Sequence, residues 1–324
     1  MCRSNTVLAI YFIHEICGGR YIHNSLSFAN LYPFQTPTPT ATPTTGVIPT
    51  PTQVPPLKLT PTPSAVPTPL PTPTQTQTAS PPAHDEQAEE DRPNDFAGPQ
   101  IHVIYAIPSD VKDLKLDTGG VLRRSISAIQ HWLRTESNGQ EFRFDSYGEE
   151  LDVTRLALSV TQFQVFNDRR PSYAQIGDAL HELDFQVTDR VYAVYYIGFS
   201  EPSMCGLGGT TSKGYKMGVT YLGRGCPSSL ASSDTDMNFS DYTMIHEIFH
   251  ALGASPICAP NGVVSRSGVR GHVDDFPHDL MWGQGHYVGQ KQALDVGRDD
   301  YFGHDNENCL DISDSPFLTA PTEG

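Results

Sequence analysis

The chain has 324 residues and a formal net charge of −16 at pH 7. That acidity argues against a nucleic-acid partner, which needs clustered Lys and Arg, and weakens attraction to anionic lipid. Most of the 27 prolines fall between Pro33 and Pro93, so that stretch cannot bury an apolar face and the core must lie elsewhere.

In chain order, residues 1–32 read as an imperfect signal or targeting segment. An apolar run from Val7 to Ile13 follows Arg3, and Ser27-Phe28-Ala29 mimics a cleavage site; the run is too short for a transmembrane span. Residues 33–98 form a Pro/Thr-rich linker, expected to be disordered and extended, with an acidic end at Asp85, Glu86, Glu89, Glu90 and Asp91. Residues 99–324, roughly 225 in number, suit one domain of ordinary size.

Within that domain, residues 101–106 read as a buried strand, and Leu122, Ile126, Ile129 and Leu133 step at helical spacing, predicting a helix over 119–136. Phe142 and Phe144 alternate with Arg143 and Asp145 as in a half-exposed strand, and residues 151–160 suggest another. A second helix is expected over 172–185, with a Ser172/Gln175 capping box and Ile176, Leu180 and Leu183 on one side. Strands over 190–199 and 217–222 follow, the latter expected to be an exposed edge. This order predicts an α+β fold: a mixed twisted sheet backed by helices, then an irregular C-terminal subdomain.

The next helix carries the chemistry. His246-Glu247-Ile248-Phe249-His250 is an HExxH motif followed by Ala251-Leu252-Gly253. Residues four apart share a helix face, so the two imidazoles can hold one metal ion, and Glu247 can take a proton from a metal-bound water. Ser240 and Asp241 favour a helix start, Ile245, Ile248, Phe249 and Leu252 give it a buried face, and Gly253 suits the left-handed position that ends it.

Of the six cysteines, Cys205, Cys226, Cys258 and Cys309 lie in the globular part. Four cysteines allow three pairings. Cys205–Cys226, closing a glycine-rich loop, and Cys258–Cys309, tying the tail to the segment after the motif, are favoured. Disulfides imply a secreted or cell-surface, extracytoplasmic location.

A catalytic Zn2+ needs a third protein ligand and an open position. In the compact motif HExxHxxGxxH it would be residue 256, which here is Pro256. His272 is preferred, since a third neutral imidazole leaves zinc strongly Lewis-acidic; His278, Asp275 and Asp279 remain alternatives. For Asp299 and Asp300, calcium binding competes with turn capping, and capping is favoured.

HExxHxLG, an intervening loop, His272 and then Met281 together resemble the metzincin zinc peptidases, with a shorter form of the leishmanolysin spacing. The stretch also looks like secreted bacterial proteins of this kind that carry Pro/Thr spacers. The resemblance implies a metzincin-like catalytic domain with His246, His250 and His272 as ligands, Glu247 as catalytic base and Met281 in the turn beneath the metal. The activity it implies is peptide-bond hydrolysis by a secreted zinc metalloendopeptidase acting on protein or peptide. Beside the resemblance, the chain is expected to be a monomer, and Tyr287 and Tyr301 are candidate oxyanion donors, although tyrosine is common in such loops. The competing expectation is a catalytically silent metal-binding surface or adhesion module presented on the spacer.

Overall fold

The computed structural model describes residues 88–162, 172–199, 204–255, 257–264, 271–283 and 288–320. The targeting segment, nearly all of the spacer, Pro256 and Tyr287 lie outside them. Two disulfides, Cys205–Cys226 and Cys258–Cys309, join the cysteines as the sequence suggested and point to an oxidising compartment. Among the described residues no helix is long and apolar enough to cross a membrane.

A five-stranded sheet organises the domain. Strand β1 is Gln100–Ile107, β4 is Val153–Ala157, β5 is Arg190–Tyr196, β6 is Gly206–Thr210 and β7 is Lys216–Tyr221. Their order is β4-β1-β5-β7-β6, all parallel except β6, which runs antiparallel to β7. Parallel strands are buried on both faces and read as continuous apolar runs. All eight residues of β1 and all seven of β5 are buried.

The alternation of side chains divides the core in two. Ile101, Val103, Tyr105, Val191, Ala193 and Tyr195 face α1 (Val121–Glu136) and α3 (Phe239–Leu252). Ile104, Ala106, Tyr192, Val194 and Tyr196 face α2 (Ser172–Glu182) through Ile176 and Leu180. The two layers of helix thus follow directly from the period of two along each strand.

Several local expectations are corrected. Phe142 and Phe144 make only isolated bridges, Phe142 to Leu318 and Phe144 to Ile101, so each pairs with a different neighbour. Leu183 lies beyond α2 and is 56% exposed. Residues 146–151 form a hairpin of β2 (Ser146–Tyr147) and β3 (Glu150–Leu151) before β4 begins. Strand β7 is not an edge, since β6, too rich in glycine to show a strand pattern, pairs along it.

The two edges of the sheet are treated differently. Ala88 bridges Thr154 of β4, and Arg155 donates its backbone N–H to the Ala88 carbonyl. Arg92 grips the buried Asp152 carboxylate through Nε and Nη2, and Asp95 accepts the backbone N–H groups of Gly148 and Glu149. Residues 88–95, expected to belong to the disordered linker, are therefore a strap over the β4 edge. At β6, among the described residues, no strand pairs with the outer side.

Candidate metal centre

The motif lies on α3, whose start is set by Asn238. Asn238 and Asp241 form a capping box, so the cap falls two residues before Ser240, and Asp241 is its N3 residue. Asp241 Oδ2 accepts the Asn238 N–H at 2.7 Å, and Oδ1 accepts the Ser125 hydroxyl of α1. Burial pushes the Asp241 carboxyl up to about 6, against the bonds that lower it. Ile245, Ile248 and Phe249 are fully buried, each contributing about 1.5–3 kcal/mol of apolar transfer. Gly253 ends the helix at φ 95°, in the left-handed region.

Three imidazoles converge above this helix. His250 Nε2 lies 3.0 Å from His246 Nε2 and 3.2 Å from His272 Nε2. His272 comes from the short strand β9 (His272–Val273), paired antiparallel with β8 (Gly262–Val263). Gly271 carries φ 113°, and a Cβ there would fall 2.9 Å from His250 Nδ1, so only glycine lets this segment pass over the ring.

The neighbouring turn orients the rings. His246 Nδ1 is 2.6 Å from the Leu280 carbonyl oxygen. A carbonyl only accepts, so Nδ1 carries the hydrogen and Nε2 presents a lone pair. Met281, fully buried, follows Leu280, and its carbonyl accepts the Val273 N–H at 2.9 Å, fastening β9 to the same turn.

This donor set fits a divalent cation such as zinc. With His246 Nε2 bare, His250 Nε2 brings at most one hydrogen to two neighbouring ring nitrogens, so full hydrogen bonds cannot satisfy both approaches. A cation receiving all three lone pairs removes the conflict. Tetrahedral zinc–nitrogen bonds of about 2.0–2.1 Å place ligand nitrogens about 3.3 Å apart, close to the separations here. Burial also lowers the affinity of the His272 ring for protons, which keeps it a neutral donor.

Glu247 points into a notch between α3 and β6. A Cβ at Gly206 would lie 2.3 Å from Glu247 Oε1, and one at Gly208 would lie 2.3 Å from the Glu247 carbonyl. Gly218 of β7 leaves similar room, with its Cβ position 2.7 Å from the backbone at Glu247 and Ile248. These glycines were missed in the sequence; their alternation at 206 and 208 was the available signal. The Glu247 residue is 6% exposed, and burial pushes its carboxyl well above the ordinary range.

The alternative ligands lie elsewhere. Asp279 is fully buried and committed: Oδ1 accepts the Met281 N–H at 2.7 Å and the Tyr301 hydroxyl at 2.8 Å, while Oδ2 accepts the Val296 N–H at 2.8 Å. Its carboxyl is pushed up to about 7 by burial. Asp275 gathers with Asp299 and Asp300 instead of with the histidines. Asp300 accepts the backbone N–H of Asn261, a bond between distant stretches of chain and not a local turn cap. His278 packs near the Phe276 ring and is absent from the histidine cluster. Tyr301 is buried and donates to Asp279, so its hydroxyl is not available as an oxyanion donor.

No family model matches the chain, and no curated protein matches it. Among the solved structures that match, one described as a chaperone-substrate complex aligns with 61% of this chain and 32% of its own, at 13% sequence identity and a TM-score of 0.29. The chain thus spans about a third of that protein's length, and a likeness of this size carries no argument.

Proposed function

We propose that the chain is an exported, zinc-dependent endopeptidase of metzincin type. The observation that carries this reading is the convergence of His246, His250 and His272 beside Glu247, a buried acid that receives no hydrogen bond among the described residues. Bound zinc supplies a Lewis acid that polarises a carbonyl and makes water a stronger acid.

The protein's own groups do the rest. Glu247 takes the proton of the attacking water and returns it to the leaving amine, as a carboxyl whose proton affinity is raised by burial suits both roles. His246 and His250 are held by one helix, and His272 by the turn that also fixes His246. The outer side of β6, next to Glu247, receives an extended peptide by strand addition. The disulfides favour a secreted or cell-surface setting.

The test uses the full chain, with zinc content measured by atomic absorption and hydrolysis followed on a denatured protein substrate. The wild type is expected to hold one zinc and to cleave. Glu247→Ala keeps the metal and loses activity, whereas His272→Ala loses metal affinity. A zinc-loaded wild type that cleaves no peptide across varied substrates overturns the peptidase reading in favour of a metal-binding module.

A further inference from the structure

The turn between Asp279 and Trp282 touches two of the three histidine positions without supplying a ligand. Its Leu280 carbonyl takes the His246 Nδ1 hydrogen, and its Met281 carbonyl takes the Val273 N–H next to His272. Gly283 returns a bond to the Val273 carbonyl at 3.0 Å, and a Cβ at Gly283 would meet His272 Cβ at 3.3 Å. A shift of this turn would therefore move His246 and His272 together.

The turn is held from below by one side chain. The Asp279 carboxylate gathers Met281 N–H from its own turn with Val296 N–H and Tyr301 O–H from one later stretch of chain. Tyr301 is itself fixed: its oxygen accepts the Asp295 N–H at 2.8 Å, and Asp295 Oδ2 accepts the N–H groups of Tyr301 and Phe302 at 2.8 and 2.6 Å. Every donor in this chain of bonds is spoken for, and both Asp279 and Tyr301 are fully buried. Such bonded networks stay in one arrangement, because each alternative leaves a buried donor unpaired.

We propose that Asp279 is a positioning residue of the metal centre: with Tyr301 it locks the turn whose carbonyls set the tautomer of His246 and the place of His272. The inference rests on the metal-centre reading above. Partners of this kind fix the ring orientation of metal-bound histidines, and their loss typically weakens metal binding about 10–100-fold.

Asp279→Asn puts an amide N–H2 where only acceptors fit, against either Val296 N–H or the Met281 and Tyr301 donors. Tyr301→Phe removes one donor and keeps the ring. The full chain is measured in three ways: melting of the metal-free protein, zinc affinity by competition with a chelator, and the visible absorption of the Co2+-loaded protein. Leu180→Ala, a core truncation on the opposite face of the sheet, serves as a control for lost stability alone.

Asp279→Asn is expected to fold, to bind zinc about 10–100-fold more weakly and to change the Co2+ spectrum. Leu180→Ala should melt earlier with unchanged zinc affinity and spectrum. If Asp279→Asn fails to fold, Tyr301→Phe decides, with weakened zinc binding and an altered Co2+ band expected. Zinc affinity and Co2+ absorption equal to wild type in the folded variant overturn the positioning role. A wild type that binds neither metal at all removes the metal-centre reading, and the positioning role with it.

Discussion

Glu247 and Asp279 are both buried acids near the histidine cluster, and they are handled in opposite ways. Asp279 receives three hydrogen bonds and has no freedom. Glu247 receives none among the described residues and sits over a glycine notch that gives its carboxyl room. Burying an acid without partners costs stability, so such a group persists where it has a task, whereas a fully bonded acid can earn its place by holding structure. The contrast separates a group poised to exchange a proton from one that fixes the frame around it.

The strongest way to break the comparison is to neutralise each acid in turn. Glu247→Gln should lower hydrolysis by about 10²–10⁴-fold, while the metal-free chain gains about 0.5–2 kcal/mol in denaturant unfolding. Asp279→Asn should do the reverse in stability, losing about 1.5–3 kcal/mol, since it disrupts buried bonds to a carboxylate. Both variants losing stability equally would erase the distinction.

A smaller effect sharpens the position of the Glu247 carboxyl. In Gly206→Ala the new Cβ would meet Oε1 and Cγ of Glu247 and, at 2.6 Å, Cγ2 of the buried Thr243. Peptide turnover should fall about tenfold, as the carboxyl swings aside, with a lower melting temperature from the crowding of Thr243. In Gly208→Ala the Cβ meets the Glu247 carbonyl, a backbone atom, so stability should fall by about 1–3 kcal/mol.

Asp241 supplies an intermediate case. Its folded value of about 6 lies above the ordinary 3.8, so the folded chain keeps a proton that the unfolded chain releases. The stabilising contribution is therefore full below about pH 4 and is lost as pH rises through about 6, amounting to an order of 3 kcal/mol. Unfolding free energies of wild type and Asp241→Asn, compared from pH 4 to 7, should diverge by that amount, with the wild type losing ground. Parallel curves would refute the burial argument.

Much of this arrangement was legible in the sequence. Strands β1, β5 and β7 announce themselves as continuous apolar runs because both faces of a parallel sheet are covered. The motif helix is framed by its own end signal, Gly253. His272 could be favoured over its neighbours on ligand chemistry, since zinc with three neutral imidazoles is the stronger Lewis acid. Strand β6 was hidden because a strand is read from alternating side chains and Gly206, Gly208 and Gly209 have none. That omission also made β7 look like an edge. The bonds of Asp279 were invisible for a different reason: they join its carboxylate to Val296 and Tyr301, and no local pattern records which loop backbone folds back on which acid.

The strap at β4 has a practical consequence for where this chain can be cut. Pro99 looks like the natural start of the folded part, yet a protein begun there would lack Arg92 and Asp95. Asp152 would then be a buried carboxylate stripped of its guanidinium, and the backbone of Arg155 would lose the Ala88 carbonyl. The bared strand would offer itself to a second molecule and invite association. A protease or a designed truncation that sheds the spacer without harm must act upstream of Ala88.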